Sequence, residues 1–455
     1  WPDSDREVNA VPKEATASYE ESYREYLEEH EYAGSLSDGE MTVDLEKFTV
    51  SADMVANVGE QGILTEDNGT ITWEFQVAQA GFYNVELGYI ALPGTTSDIQ
   101  RKVYIDGEVP YEAMSQIVLK RWWQDGDIRV KNENEIRPEA TEIYWETKWF
   151  LEDYQRRNNE PLVVWLEKGK HTIGFEVIKE PLEYTSITFK AAAQPESYEQ
   201  SIQELKNQYP VYSGENIICQ AERREDATVG IVKSSSSINI QKNYSDSELQ
   251  PYHPYHIIYN TVGAENWAQP GDSVTWQVEV GEEGLYELSF KGRQNLNRGV
   301  TSYRRLYING EVPYEEMQAI GFEYQNGMNH YTVADQEGNA YLFHLKAGVN
   351  TITLENVMGP MGSIITQVEE SMAVLNGMYL DVIQLTGQVP NRFIDYEIVK
   401  KLPEFAGTMQ EESERLYDIV GKIVAITGEK GENTAMLEKM ALEASWLADD
   451  PESVI

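Results

Sequence analysis

Apolar and polar residues alternate over much of the first 390 residues of the chain. In segment 71–77 every second residue is apolar and the residues between are polar, a pattern typical of a half-buried strand. Short segments of this kind recur between turn signals such as Asp106-Gly107, which favours a tight turn. Regularly spaced short strands indicate antiparallel β-sandwiches. We therefore predict one sandwich within residues 41–190 and another within residues 215–388.

The strand pattern occurs twice at a constant offset. KVYIDGEVPYEAM begins at Lys102 and RLYINGEVPYEEM begins at Arg305, 203 residues later. The same offset relates Trp73 to Trp276 and extends over more than forty residues, which predicts two copies of one domain. Because the two tryptophans hold the inward position of equivalent strands, we assign both to the core.

Three regions have helical spacing instead. Residues 14–33 carry tyrosines along one face, and residues 196–208 repeat this arrangement before the second copy, so the repeated unit should include a helix. From Phe393 onward the pattern is helical. The predicted domains are an N-terminal helix and linker (1–40), sandwich 1 (41–190), a linker helix (191–214), sandwich 2 (215–388) and a helical segment that begins a further domain (389–455).

The two copies carry different insertions. Copy 1 has 24 more residues between Met114 and Gly169 than copy 2 has between Met317 and Gly348, whereas copy 2 has a long insertion at 233–270. Aromatic rings flanked by amides and charged groups suit sugars, because the rings stack on C–H faces and the polar groups fix orientation. The alternative is that each insertion folds over its own sandwich and buries its rings. The ligand-binding candidates are Trp122, Trp123, Trp145, Trp149, Tyr252, Tyr255, Arg293, Asn295 and Tyr324.

Composition narrows the ligand classes. The net charge of −41 and a pI near 4.4 disfavour nucleic acid and anionic membranes, and suit neutral or cationic ligands. A single cysteine, Cys219, excludes an internal disulfide framework, and its apolar neighbours predict a buried thiol. The sequence lacks nucleotide-binding, zinc-protease and serine-hydrolase motifs, so we expect no catalysis. The chain starts without Met, so we expect a processed protein whose targeting signal has been removed.

The strand framework resembles the carbohydrate-binding modules of families 6 and 35. The resemblance lies in segments 276–280, 283–286, 306–310 and 346–352, with 218–222 as the first strand and 379–385 as the last. It implies a mainly β protein with two antiparallel jelly-roll sandwiches of the galactose-binding-like type. It also implies a structural calcium ion in the second sandwich between Glu222 and Asp381, since calcium takes hard oxygen ligands. In copy 1, Thr185 stands where the aspartate is expected.

The whole arrangement also resembles the N-terminal part of large extracellular solute-binding lipoproteins of Gram-positive bacteria. Segments 97–102 (SDIQRK), 105–110 (IDGEVP) and 136–138 (IRP) carry this similarity. It implies a cell-surface location, secreted or lipid-anchored, with membrane transporter components as partners. The leading hypothesis is non-catalytic oligosaccharide or polysaccharide binding that serves a sugar importer. The alternatives are structural spacer or protein-interaction modules, and an accessory region of a polysaccharide-degrading enzyme.

Overall fold

The computed structural model describes residues 19–158, 160–222, 231–296, 298, 300–391, 393–428 and 430–454. The chain divides into two compact units. One unit is built from residues 32–110 and 114–362 and contains both β-sandwiches. The other combines the chain up to Glu31, Tyr111–Ala113 and Ser363–Ile455, and is mainly helical. The predicted polar tail 1–12 and the start of the first predicted helix lie outside the described residues.

Sandwich 1 follows the period-two pattern, with its apolar positions between two sheets. Its strands and those of its insertion are β1 Met41–Thr42, β2 Phe48–Val50, β3 Ala56–Val58, β4 Ile63–Thr65, β5 Thr70–Val77, β6 Gly81–Ala91, β7 Ile99–Ile105, β8 Ile117–Leu119, β9 Trp122–Asp125, β10 Arg129–Lys131, β11 Asn134–Ile136, β12 Ala140–Ile143, β13 Glu146–Phe150, β14 Val163–Leu166, β15 Gly169–Lys179 and β16 Leu182–Lys190. One sheet has the order β2-β5-β15-β7-β8; the other has β13-β6-β16-β4-β3, with β1 on β16 and β14 on β6. Trp73 is fully buried between them, as predicted.

Sandwich 2 repeats the first of these sheets. Its strands are β17 Val232–Lys233, β18 Ile240–Gln241, β19 Thr261–Val262, β20 Ser273–Val280, β21 Gly284–Glu287, β22 Ser289–Gly292, β23 Ser302–Ile308, β24 Ile320–Phe322, β25 Asn329–Thr332, β26 Leu342–Leu345 and β27 Gly348–Val357. The order β17-β20-β27-β23-β24 reproduces β2-β5-β15-β7-β8, and the opposite layer consists of the pairs β21-β26 and β22-β25. Trp276 is partly buried and packs on this core, in agreement with its assignment. The mainly β, antiparallel fold class is therefore confirmed.

The turn after the third core strand is the same in both copies. Asp106 and Gly107 have φ values of 53° and 84°, and Asn309 and Gly310 have 52° and 86°. Two consecutive positive φ angles define a type I′ turn, which aspartate, asparagine and glycine tolerate best. Asp106 accepts the Thr172 amide at 2.8 Å and Asn309 accepts the Thr351 amide at 2.9 Å. The repeat thus preserves local hydrogen bonding as well as strand register.

The predicted last strand of sandwich 2 is wrong. Segment 379–385 lies within a 26-residue helix, because Leu375, Met378, Val382 and Leu385 recur at helical spacing and pack into one helical core. The alternating apolar residues near Val382 fit either period, and the longer helical pattern prevails. The helices are α1 Tyr19–Glu29, α2 Tyr198–Gln208, α3 Met361–Thr386, α4 Ile398–Lys401, α5 Phe405–Thr427 and α6 Glu432–Asp449. None of the described helices is long and apolar enough to cross a membrane.

Loss of the last strand also removes the predicted first strand. In sandwich 1 the first strand β1 pairs with the last strand β16, whereas segment 218–222 of sandwich 2 is not in a strand. Without a last strand beside it, this segment has no ladder to join, and Ile218 is 74% exposed. Cys219 is exposed, so the prediction of a buried thiol is wrong.

Each copy places a helix on the tyrosine of its VPY motif. Tyr23 of α1 lies 4.5 Å from Tyr111, ring centroid to ring centroid. Tyr198 of α2 lies 4.9 Å from Tyr314 in an edge-to-face contact. Such ring pairs stabilise beyond the area that they bury. A helix that contacts the tyrosine of the VPY motif is therefore common to both copies; whether the repeated unit includes the helix stays a prediction.

Candidate functional site

The insertion of sandwich 1 extends the sheet of sandwich 2. Strand β9 pairs with β17, and β12 pairs with β9, so two strands of copy 1 are added to the sheet of copy 2. Lys233 of β17 is fully buried and donates to Asp125 of β9 at 2.6 Å. The alternative, that each insertion folds over its own sandwich, therefore holds only in part for copy 1: β13 pairs with β6 of sandwich 1, whereas β9 and β12 join the sheet of copy 2.

The two insertions also contact each other. Hairpin β10–β11 lies against segment 256–259, where Asn134 accepts the Ile257 amide at 2.7 Å and Glu135 accepts the Tyr259 amide at 2.6 Å. His256 lies 3.0 Å from Glu133. The long insertion of copy 1 therefore packs against the long insertion of copy 2.

The four candidate tryptophans divide into packed and exposed rings. Trp122 and Trp123 are half-buried on β9, and the Trp122 indole donates to Thr147 at 2.8 Å. Trp149 is half-buried and donates to Glu152 at 2.6 Å. Trp145 is 42% exposed, with its ring centroid 6.0 Å from that of Trp122. These positions give three of the rings structural contacts; a ligand-binding role stays a prediction.

The candidates in sandwich 2 lie in its loops. Arg293 donates to Ser245 at 3.1 Å and to the Asn326 carbonyl at 3.4 Å, and Tyr324 donates to the Asn326 side chain at 2.9 Å. This brings Arg293 and Tyr324 to the same loop residue, with half-buried Asn295 following on the Arg293 loop. Tyr255 is 86% exposed and Tyr252 is half-buried. Their binding roles also stay predictions.

The predicted calcium site loses its structural basis. Asp381 is a half-buried residue of helix α3 instead of a strand residue, and Glu222 is a buried residue after an irregular segment. Among the described residues no group of three or more His, Cys, Asp or Glu side chains could hold a metal ion. The calcium ion therefore remains a prediction without the pair of strands from which it was inferred.

Sequence reasoning missed a polar trio on the outer face of the shared sheet. In sandwich 2 it consists of Arg305, Tyr307 and Glu355, where Arg305 faces Glu355 across β23 and β27. Tyr307 donates to Glu355 Oε2 at 2.7 Å. We call this trio, with Ser273, Thr275 and Thr353 beside it, the covered face, because the insertion of sandwich 1 lies on it.

Four residues of the insertion cover this face. Lys120 Nζ lies 2.6 Å from Glu355 Oε1, and Arg156 lies 3.6 Å from the same oxygen. Trp149 packs with its ring centroid 6.4 Å from that of Tyr307, and Lys120 lies 3.8 Å above the Trp149 ring. Glu152 lies 3.8 Å from Arg305 and also pairs with Arg156. Charges buried in this way need close partners.

The electrostatics of the covered face follow from this packing. Burial alone would raise the pKa of Glu355, but the charges of Lys120, Arg156 and Arg305 hold it at about 2. Burial lowers the pKa of Lys120, and burial together with the Glu355 charge raises the pKa of Tyr307. Glu355 is therefore the fixed anion around which the three cations of the interface gather.

Sandwich 1 carries the same trio in the same register, namely Lys102, Tyr104 and Glu176. Lys102 faces Glu176 across β7 and β15, and Tyr104 donates to Glu176 Oε2. Lys102 Nζ lies 5.4 Å from the centroid of the Tyr104 ring. Burial and the bond to Glu176 raise the pKa of Tyr104. All three side chains are half-buried, and the described part of the chain places no insertion residue in hydrogen-bond or ion-pair contact with them.

A depression of about 220 Å³ lies beside this trio. Its floor is Gly174, which faces Thr72 on one side and Tyr104 on the other, where sandwich 2 has Thr353. We call the trio and the depression the open face. The signal available in the sequence was the cation and tyrosine of the trio, which recur 203 residues later, and the two glutamates, which are 179 residues apart. The depression is lined by Thr70, Thr72, Tyr104, Gly107, Thr172 and Gly174.

No protein-family model matches the chain, and no curated protein matches it. Among solved structures, it is similar to a family 35 carbohydrate-binding module from Clostridium thermocellum, with 13% identity and a TM-score of 0.19 over 34% of this chain and 99% of that one. A family 35 module from Paenibacillus barcinonensis gives 15% identity and a TM-score of 0.20 over 34% and 99%. A family 36 module of a xylanase from the hindgut metagenome of Trinervitermes trinervoides gives 11% and 0.21 over 34% and 100%. The fold class rests on the strand order and register described above.

Proposed function

We propose that the chain is a non-catalytic carbohydrate-binding protein and that the open face of sandwich 1 is its glycan site. The observation that carries this proposal is the contrast between equivalent faces. The trio in sandwich 2 is covered by Trp149 and charged side chains, while the trio in sandwich 1 borders a depression lined by hydroxyl groups.

The chemistry of the open face suits a sugar. Three threonine hydroxyls and the Glu176 carboxylate offer donors and acceptors to sugar hydroxyls, and half-buried Tyr104 offers an aromatic surface. Gly174 has no side chain, so the floor of the depression is open to a sugar ring. A Cβ at this position would occupy that space and lie 3.1 Å from Thr72 Oγ1. The resemblance of the strand framework to carbohydrate-binding modules agrees with this use. An extracellular, importer-linked role belongs to the same proposal.

Titration calorimetry against a panel of neutral and charged oligosaccharides tests the proposal. Tyr104→Ala is expected to weaken binding about tenfold or more, because a lost ring contact of about 1.4 kcal/mol corresponds to a tenfold change. Tyr255→Ala is the matched control, since Tyr255 is 86% exposed and lies in the other insertion. Loss with Tyr255→Ala alone would move the site to the loops of sandwich 2. Absence of binding by the unmodified chain would overturn the proposal.

One observation favours a second function. The sandwiches share a seven-stranded sheet and a buried ionic network, which is what a rigid spacer requires. A chain that binds no glycan and keeps one cooperative unfolding transition would support the spacer function instead.

A further inference from the structure

We infer that the open face selects glycans that carry primary ammonium groups, such as partly or fully deacetylated amino-sugar chains. This inference rests on the proposed function and names its ligand class. The molecule contains its own example of the interaction, because a primary ammonium already occupies the equivalent position in sandwich 2. There Lys120 Nζ lies 2.6 Å from Glu355 Oε1, while Tyr307 occupies Oε2.

The equivalent carboxylate of sandwich 1 has the same arrangement without an ammonium from an insertion, and the ammonium of Lys102 in the trio lies beside Tyr104. Tyr104 occupies Glu176 Oε2, as Tyr307 occupies Glu355 Oε2. Within the described residues Glu176 makes no ion pair, even though Lys102 faces it across the strands. Glu355, by comparison, has two cations from the insertion in addition to Arg305, the counterpart of Lys102. Glu176 therefore has room for at least one further cation at Oε1.

The surroundings of Glu176 suit a sugar ammonium better than a long side chain. In sandwich 2 the covering ammonium arrives with a tryptophan ring and a second cation, Arg156, which together fill the face. In sandwich 1 the corresponding space is a shallow depression whose lining includes three threonine side chains. The net charge of −41 adds long-range attraction for a polycationic chain.

Calorimetry with three oligomers of equal length tests the inference: glucosamine, N-acetylglucosamine and glucose. We expect the glucosamine oligomer to bind about tenfold more tightly than the other two, as a charge-assisted hydrogen bond allows. Glu176→Gln keeps an acceptor for Tyr104 and removes the charge, so it should abolish the preference for the glucosamine oligomer over the two neutral oligomers. Added salt should reduce the preference, because the site is partly exposed to solvent.

Glu74→Gln is the matched control, because it removes one carboxylate charge from the same sheet face, where Glu74 pairs with Lys170 at 2.7 Å. An equal effect of Glu74→Gln and Glu176→Gln would show that diffuse charge causes the preference, and would overturn the inference. Equal affinity for all three oligomers, still lost in Tyr104→Ala, would overturn the inference and leave the proposed function standing. A lysine peptide that binds as tightly as the glucosamine oligomer would also overturn it. Failure of every oligomer would overturn the proposed function itself.

Discussion

The covered face of sandwich 2 and the open face of sandwich 1 hold the same trio in different surroundings. Each has a cation, a tyrosine and a glutamate in one register, and each tyrosine donates to its glutamate. In sandwich 2 an insertion adds Lys120 and Arg156, so the trio becomes part of a buried interface. In sandwich 1 the trio faces a depression. One local arrangement can therefore serve assembly in one copy and ligand binding in the other, depending on what covers it.

The largest expected effect comes from removing the charge of each glutamate in turn. Glu355→Gln leaves Lys120 buried without its anion and Arg156 with Glu152 as its remaining anion, so the free energy of unfolding should fall by about 3–5 kcal/mol. Glu176→Gln, at the half-buried equivalent, should change it by no more than about 0.5 kcal/mol. Chemical denaturation of both variants measures the difference. Equal losses would mean that the two faces are buried alike.

Acidification should reduce the stability that the buried Glu355 carboxylate contributes to the covered face. The pKa of Glu355 is about 2 in the folded chain, below its ordinary value of 4.5. A depressed pKa contributes stability that is present above pH 4.5 and is lost as the pH falls toward 2. The shift corresponds to about 3 kcal/mol.

Stability curves of the unmodified chain and of Glu355→Gln should therefore converge between pH 4.5 and 2. Curves of Glu355→Gln that stay parallel to the unmodified chain would show that the interface does not depend on the ionised carboxylate.

The aromatic part of the cover should contribute less. Trp149→Ala removes the ring beside Tyr307 and Lys120, and should cost about 2 kcal/mol, roughly half the loss for a fully buried tryptophan. Trp145→Ala, at a ring that is 42% exposed, should cost about 0.5 kcal/mol. Denaturant unfolding compares the two. A larger loss for Trp145→Ala would contradict the assignment of Trp149 to the interface.

Features of the fold that depend on residues close together in the sequence could be predicted, whereas features that depend on residues far apart in the sequence could not. The strands and the core position of Trp73 were predictable, because alternation and turn residues act locally. The contrast between the faces was not, since the cover of Glu355 comes from a residue 235 positions away in the other copy. The sequence shows that the insertion is rich in rings, but not that Trp122 lies on a strand of the shared sheet or that Trp149 packs beside Tyr307; their ligand-binding role stays a prediction. The prediction of the last strand of sandwich 2 was wrong because the apolar residues of segment 379–385 fit both the strand period of two and the helical period.

A small change in stability, together with the sharpest test of the comparison, is expected from exchanging the residue that differs at the centre of the two faces. Gly174→Thr gives sandwich 1 the threonine that sandwich 2 has at Thr353. Its Cβ would lie 3.1 Å from Thr72 Oγ1 and 3.5 Å from Tyr104 Cβ, so it would fill the depression. Stability should change by less than about 1 kcal/mol, because threonine suits a strand. Calorimetry should show at least about a tenfold loss of glycan affinity, the equivalent of 1.4 kcal/mol.

The reverse exchange, Thr353→Gly, tests whether a glycine floor is enough for binding when insertion residues still cover the face. Thr353→Gly removes the hydroxyl that lies 2.8 Å from that of Thr275, but Lys120 and Trp149 still lie on the face. It should therefore create no glycan site in sandwich 2. If Thr353→Gly bound glycan while Gly174→Thr kept its affinity, the depression would not be the binding element. If Gly174→Thr changed the glycan affinity and Thr353→Gly did not, ligand binding at the open face would depend on two features. One is the glycine floor, and the other is that, within the described chain, no insertion residue contacts the trio of Lys102, Tyr104 and Glu176.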